Sequence, residues 1–150
     1  MSSVTWMDGR LVPESAAVVP FLTAGLHYGM GVFEGIRCYH TGDGPAVFRL
    51  REHDERLVES ARILGFTELP YDVNQLSAAV CDTISANHLS ACYVRPLIYL
   101  ADGGMNLSID TGRTRVGIAA WAWRDYHGQQ PSAGIRGKVS SHTRHRPNAM

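Results

Sequence analysis

The chain has 150 residues, enough for one domain that buries roughly 68–70% of its unfolded surface. Fourteen acidic residues balance fourteen basic ones, so no overall field draws it to nucleic acid or a membrane surface. Three cysteines without a CxxC, and histidines without zinc-site spacing, argue against a disulfide framework or a metal site and favour a reducing cytoplasmic setting. The opening MSSVTWMDGR has no basic or apolar leader, and no window is long and apolar enough to span a bilayer, so a soluble intracellular protein is expected. The basic residues comprise thirteen arginines and a single lysine, Lys138. Arginine stays protonated and makes forked contacts, whereas lysine can lose its proton and act as a nucleophile, so chemistry needing an amine has one candidate.

In chain order, VTWM and RLVP flank Asp8-Gly9 and predict a hairpin. VFEGIRCYH and AVFRL predict a second hairpin across the loop TGDGP. REHDERLVESARILG carries Leu57, Ala61 and Leu64 at helical spacing, continuing from Leu50 and closing on Gly65 as a cap. DVNQLSAAVCDTISANHL repeats that period through Val73, Leu76, Val80 and Ile84, with Asp72 as N-cap. ACYVRPLIYL, TRVGIAAWAW and GIRGKVSS read as three further strands. The fold class is therefore α+β, an antiparallel-rich sheet with two helices against one face. The final SSHTRHRPNAM is basic and turn-like and reads as a linker rather than an ending.

Side chains alternate along strands, so period two sorts the faces. Phe33, Gly35, Arg37 and Tyr39 share one face, opposite Val32, Glu34, Ile36 and Cys38. Tyr93, Arg95, Leu97 and Tyr99 share a face, opposite Cys92, Val94, Ile98 and Leu100. The second set in each strand is mostly apolar and reads as core. The first set is aromatic plus guanidinium, with Gly35 leaving room above the sheet, and suits a carboxylate that accepts forked N–H and O–H bonds together. Each residue alone has a plainer reading: Arg37 paired with Glu52 or Glu55, Tyr93 an ordinary strand tyrosine, Arg56 a solvated helix-surface residue three positions after His53. Periodicity stops at a pocket for something anionic. Gly29, Gly31 and Gly35 give GxGxxxG before a strand, which fails as a phosphate loop, and Ser140, Ser141, His142 and His145 form no nucleophile arrangement. The basic residues near the C-terminus lack interleaved aromatics, which argues against a nucleic-acid site.

HYGMGVFEGIRCY, REHDERL, YVRPLIYLADGGM and VSSHTRHRPN resemble, in order, motifs of the branched-chain amino-acid aminotransferases of pyridoxal-phosphate fold type IV. The resemblance implies a small N-terminal domain over 1–130 and a linker or start of the large domain over 131–150. It implies transfer of the amino group of leucine, isoleucine or valine to 2-oxoglutarate through pyridoxal phosphate. Arg56 would grip the cofactor phosphate, Tyr93 the substrate α-carboxylate, and Arg95 the side-chain carboxylate of glutamate or 2-oxoglutarate. Phe33 would line the apolar pocket with Tyr28 and Leu107 from a neighbouring subunit, implying at least a homodimer, and Arg37 would assist carboxylate recognition. The family's Schiff-base lysine falls beyond Met150, and Lys138 matches no catalytic position, so the 150-residue chain alone is expected to be inactive. Two alternatives stay open. One is a standalone non-catalytic binding domain. The other is a different fold type IV enzyme, a D-amino-acid transaminase or aminodeoxychorismate lyase, although VFEGIRCY with YVRPL fits the branched-chain group better.

Overall fold

A computed structural model describes residues 3–101, 112–122 and 137–143. The first hairpin forms as the sequence predicts, β1 (Val4–Met7) against β2 (Arg10–Pro13). Asp8 and Gly9 both take positive φ, 46° and 91°, which a two-residue hairpin turn requires and which glycine tolerates. A 3-10 turn (Glu14–Ala16) and a short helix α1 (Ala24–Tyr28) follow, neither with enough periods to announce itself in the sequence.

The stretch VFEGIRCYH is not one strand. It divides into β3 (Gly31–Phe33) and β4 (Ile36–Thr41), both paired with β6 (Cys92–Leu100) in one continuous register. Pro96 of β6 lies opposite the gap and explains it. The Glu34 amide donates to the Pro96 carbonyl at 3.1 Å, but proline has no N–H to return the bond, so the ladder opens at Glu34–Gly35.

The second hairpin is shorter than expected. β5 covers Gly44–Val47, so Gly44 and Pro45 belong to the strand and the turn is Gly42-Asp43, while Phe48 and Arg49 leave the sheet before the helix. α2 (Leu50–Ile63) ends at Leu64, with Gly65 one position beyond as the N–H of Phe66 reaches back to the Ala61 carbonyl. α3 (Val73–Ala86) starts on a capping box: the Asp72 carboxylate accepts from the Gln75 amide and the Gln75 side chain accepts from the Asp72 amide. β7 (Thr114–Ala122) completes the sheet. The expected strand GIRGKVSS is not found in its described part: residues 137–140 are in neither helix nor strand, and Gly134, Ile135 and Arg136 lie outside the described residues.

The sheet order is β2-β1-β7-β6-β4-β5, all antiparallel, with β3 beside β6 in line with β4. Ile36, Val94, Ile98, Val116 and Ile118 bury one face against Leu57 and Ala61 of α2 and Leu76, Val80 and Ile84 of α3. No helix of the described residues is long and apolar enough to cross a membrane. Asn87, just past α3, fastens the N-terminal strand: its amide accepts from Val4 N at 2.9 Å and donates to Val4 O at 2.8 Å. Cys38 and Cys92 face each other across β4 and β6, free and buried, and burial first, then the neighbouring sulfur, holds the Cys92 thiol far above its usual range.

Asp54 of α2 is fully buried between the helices, where it accepts from Ser77 Oγ at 2.6 Å, and its Oδ1 has no hydrogen-bond partner among the described residues. Burial pushes this carboxyl from 3.8 up to about 6, against the pull of the Ser77 hydroxyl. The folded protein therefore binds the proton more tightly than the unfolded chain does, and stability falls as pH rises from about 4 through about 6. Asp54→Asn should gain on the parent by ~2 kcal/mol between pH 4 and pH 7.5. Urea denaturation of both proteins at both pH values checks this; a parent–variant difference that ignores pH would contradict it.

Candidate functional site

Helices cover one face of the sheet, so the alternation in β6 sends Tyr93, Arg95 and Leu97 to the other. The register sets them in rows across that open face. Arg37, Tyr93 and Trp121 form one row. Arg95 sits in the next, beside Ala119 on one side and the Gly35 gap on the other, and Phe33, Leu97 and Gly117 form the third. The sequence-predicted grouping of Phe33, Arg37, Tyr93 and Arg95 is present.

Arg95 is held by aromatic faces. Its guanidinium carbon lies 4.2 Å from the Phe33 ring centre and 5.5 Å from that of Tyr93, and its Nη2 donates to the Tyr93 hydroxyl at 3.2 Å. Its Nε is buried without a hydrogen-bond partner among the described residues, a donor with no acceptor in reach. Tyr93 packs on Trp121 at 5.1 Å between centroids, and Arg37 lies 4.9 Å from the Tyr39 ring centre. Glu52 and Glu55, the acids considered for Arg37, engage Arg49 and Arg51. Trp121 is not among the sequence-predicted residues, although period two applied to TRVGIAAWAW puts it on the Tyr93 face. A cavity of about 260 Å³ continues the open face along Val19, Arg95, Leu97, Tyr99 and Ala119. Larger cavities, about 390 Å³ beside Cys81 and His88 and about 610 Å³ beside Phe66, hold none of these residues.

Gly35 is a steric requirement. A Cβ built there would stand 2.0 Å from the Tyr93 hydroxyl and 2.9 Å from its ring carbon. The phenol occupies the space that a side chain would fill.

Arg56 approaches from the helix side of the sheet. Glu34 is on the core face, as alternation predicts, but it is not an apolar-core residue. Its carboxylate, 7% exposed, accepts from Arg56 Nε at 2.5 Å and Nη2 at 2.6 Å, and lies 2.9 Å from His53 Nδ1. Burial alone would raise the Glu34 carboxyl, but bonds from Arg56 and His53 outweigh it and leave it below its usual value. The bond to Glu34 in turn raises the Arg56 guanidinium. Arg56 is thus a fixed fork rather than a solvated surface arginine, although its side chain is 66% exposed. The expected helix-surface reading missed Glu34 because the contact is 22 residues away in sequence. Of the remaining predicted residues, Tyr28 ends α1, exposed, with its ring 6.5 Å from that of His27, and Leu107 lies outside the described residues.

A family model for Amino-transferase class IV matches residues 31–149. The chain belongs to that family. It is 41% identical over 146 residues to the branched-chain-amino-acid aminotransferase of Pseudomonas aeruginosa, covering 97% of this chain and 47% of that relative. The crystal structure of the Escherichia coli branched-chain amino acid aminotransferase superimposes with a TM-score of 0.91 at 40% identity, over all of this chain and 50% of that one. The T.th. branched-chain amino acid aminotransferase complexed with N-(5'-phosphopyridoxyl)-L-glutamate matches at TM-score 0.77 and 37% identity, over 81% of this chain and 42% of that one. Structures of that protein with 4-methylvaleric acid and with pyridoxamine 5'-phosphate also match. The class IV chain spans about half the length of these relatives and corresponds to their N-terminal portion.

Gly35→Ala should displace the Tyr93 phenol and cost roughly 1–3 kcal/mol through overpacking. Adding Tyr93→Phe removes the closest atom and should recover part of that loss. A double-mutant cycle by chemical denaturation measures it, and strictly additive losses would show that the two residues do not meet.

Proposed function

We propose that this chain is the N-terminal part of a branched-chain aminotransferase, which moves the amino group of leucine, isoleucine or valine to 2-oxoglutarate with pyridoxal phosphate. The observation that carries the reading is Arg95: a guanidinium laid on the Phe33 ring with a buried Nε awaiting an acceptor. An apolar wall and a carboxylate-binding cation in one spot serve the two substrate kinds such an enzyme must accept. The ligands named for the T.th. protein, 4-methylvaleric acid and a glutamate adduct, are of those two kinds.

The residues fit the phosphate group of the cofactor. Glu34 takes Arg56 Nε and Nη2, which leaves Nη1 for a phosphate oxygen. When bound, pyridoxal phosphate carries the amino group between substrates and supplies the electron sink that makes the α-proton labile. On the open face the Tyr93 hydroxyl would donate to the α-carboxylate and Arg95 to the distal carboxylate of glutamate, with Arg37 adding positive charge alongside. Phe33 would exclude water from a branched aliphatic side chain. When such a side chain replaces the distal carboxylate, the Arg95 charge remains on the Phe33 face and is partly compensated there.

The remaining parts of the proposal concern assembly. Residues 1–130 would be the small domain and 131–150 the link to a large one. Val18, Phe21, Leu22 and Leu26 expose apolar side chains beside α1, a surface that a second subunit would cover, with Tyr28 and Leu107 reaching the neighbour's pocket in a cytoplasmic homodimer. Lys138 is exposed, in neither helix nor strand. Transamination needs a lysine amine held at the cofactor, and Lys138 matches no such position in the family, so the 150-residue chain alone would not transaminate.

Incubation of this chain with pyridoxal phosphate at neutral pH, followed by borohydride and intact-mass analysis, should give no stoichiometric adduct. A single equivalent trapped on Lys138 would make that lysine a working amine. In the full-length enzyme, Arg95→Met should lower kcat/KM for glutamate by roughly one to two decades, the loss of a charge-assisted bond, and affect leucine much less. Single-turnover measurements with each amino acid decide it: an equal fall in both would assign Arg95 to the α-carboxylate or to the pocket's shape.

A further inference from the structure

We propose that Glu34 is a positioning residue that sets the Arg56 guanidinium for the cofactor phosphate, an inference that rests on reading Arg56 as the phosphate holder. Glu34 occupies a core-face position between Val32 and Ile36, where packing alone selects an apolar side chain and a carboxylate is costly. Its backbone is fixed beside Pro96 by the amide bond to the Pro96 carbonyl. The carboxylate therefore projects from the short junction between β3 and β4, which that bond ties to β6.

From that point Glu34 engages two side chains of α2, Arg56 and His53. Arg56 has a long, rotamer-rich side chain on an exposed stretch of α2, and it would sample many orientations if left alone. The fork from Nε and Nη2 to the two Glu34 oxygens fixes the guanidinium plane and turns Nη1 outward. His53, three residues earlier on the same helix, shares Glu34 Oε2 with Arg56 at 2.9 Å, its Nδ1 3.4 Å from Arg56 Nη2. A tie between sheet and helix for its own sake gains little from a buried acid bonded to an exposed base. Directing one N–H of a guanidinium is what this arrangement adds. It has an opposing electrostatic effect, because the Glu34 charge repels an incoming phosphate. The proposal is that orientation outweighs repulsion.

The test compares dissociation constants for pyridoxal 5'-phosphate and for pyridoxal, which lacks the phosphate, in the full-length enzyme and its Glu34→Gln and Arg56→Ala variants. Glu34→Gln keeps the shape but presents an amide N–H to one arm of the fork. It should weaken pyridoxal phosphate about tenfold, the cost of reordering one arginine, and leave pyridoxal unchanged. A general loss of structure would weaken both. Should Glu34→Gln fail to fold, Glu34→Asp retains the charge and shortens the reach by one methylene, and it should likewise lower the ratio of the pyridoxal dissociation constant to that of pyridoxal phosphate. The phosphorus NMR shift of the bound cofactor should move in either variant. If Arg56→Ala lowers the ratio while the Glu34 variants leave it unchanged or tighten pyridoxal phosphate, Glu34 does not position Arg56 and the phosphate reading stands. If Arg56→Ala leaves the ratio unchanged, the phosphate reading itself fails, and this inference with it.

Discussion

Both long helices lie on the same side of the seven-stranded sheet, and the arrangement of functional groups follows from that asymmetry. A strand in such a sheet must serve two environments with alternate side chains. β6 does so along most of its length: Cys92, Val94 and Ile98 disappear into the core while Tyr93, Arg95 and Leu97 emerge opposite. The apolar set binds the strand firmly enough to make it a rigid platform. Aromatic and cationic groups on its other face therefore start from fixed backbone positions, and only their side-chain torsions remain to be restrained. Neighbours of small size on both flanks of Arg95, Ala119 and Gly35, leave a guanidinium and a phenol room to lie across the sheet.

Pro96 gives this platform its one interruption. In a central strand a missing N–H normally argues against the strand itself. Here the loss falls opposite Glu34, and the neighbouring strand divides instead of the central one. The break is where the two sides of the sheet communicate. Glu34 reaches toward α2, and the adjacent Gly35 admits the Tyr93 hydroxyl on the opposite face. The Arg56 guanidinium on the helix side and the Tyr93 phenol on the open side are thereby related through two consecutive residues. A regular strand with larger side chains would separate them.

How far the sequence revealed this depends on the range of each interaction. Period two was sufficient to gather Phe33, Arg37, Tyr93 and Arg95, because strand alternation is local and survives without knowledge of the partner strand. Asp72 likewise announces the start of α3 from its place just before the first helical residue. Glu34 could not be recognised in the same way. Alternation placed it correctly on the helix-facing side, but its pairing with Arg56 requires the turn after β5 and the docking of α2. GIRGKVSS shows the opposite limit, since strand-like composition in Gly137–Ser140 does not yield a strand where no neighbour is paired with it. The short α1 and the 3-10 turn were missed for a plainer reason: one helical turn carries too little periodicity to stand out.

Asn87 imposes an order of events on the growing chain. It clasps Val4 across 83 residues, and the edge of β1 away from β2 is paired only by β7, where Trp6 meets Ile118. During synthesis the first hairpin emerges early and must wait for α3 and then β7 before either side of β1 away from the turn is satisfied. At ordinary elongation rates that interval is on the order of ten seconds. Throughout it, the N-terminal ribbon has an open edge and exposed Trp6 and Met7 side chains, the condition in which ribosome-associated chaperones have most to protect.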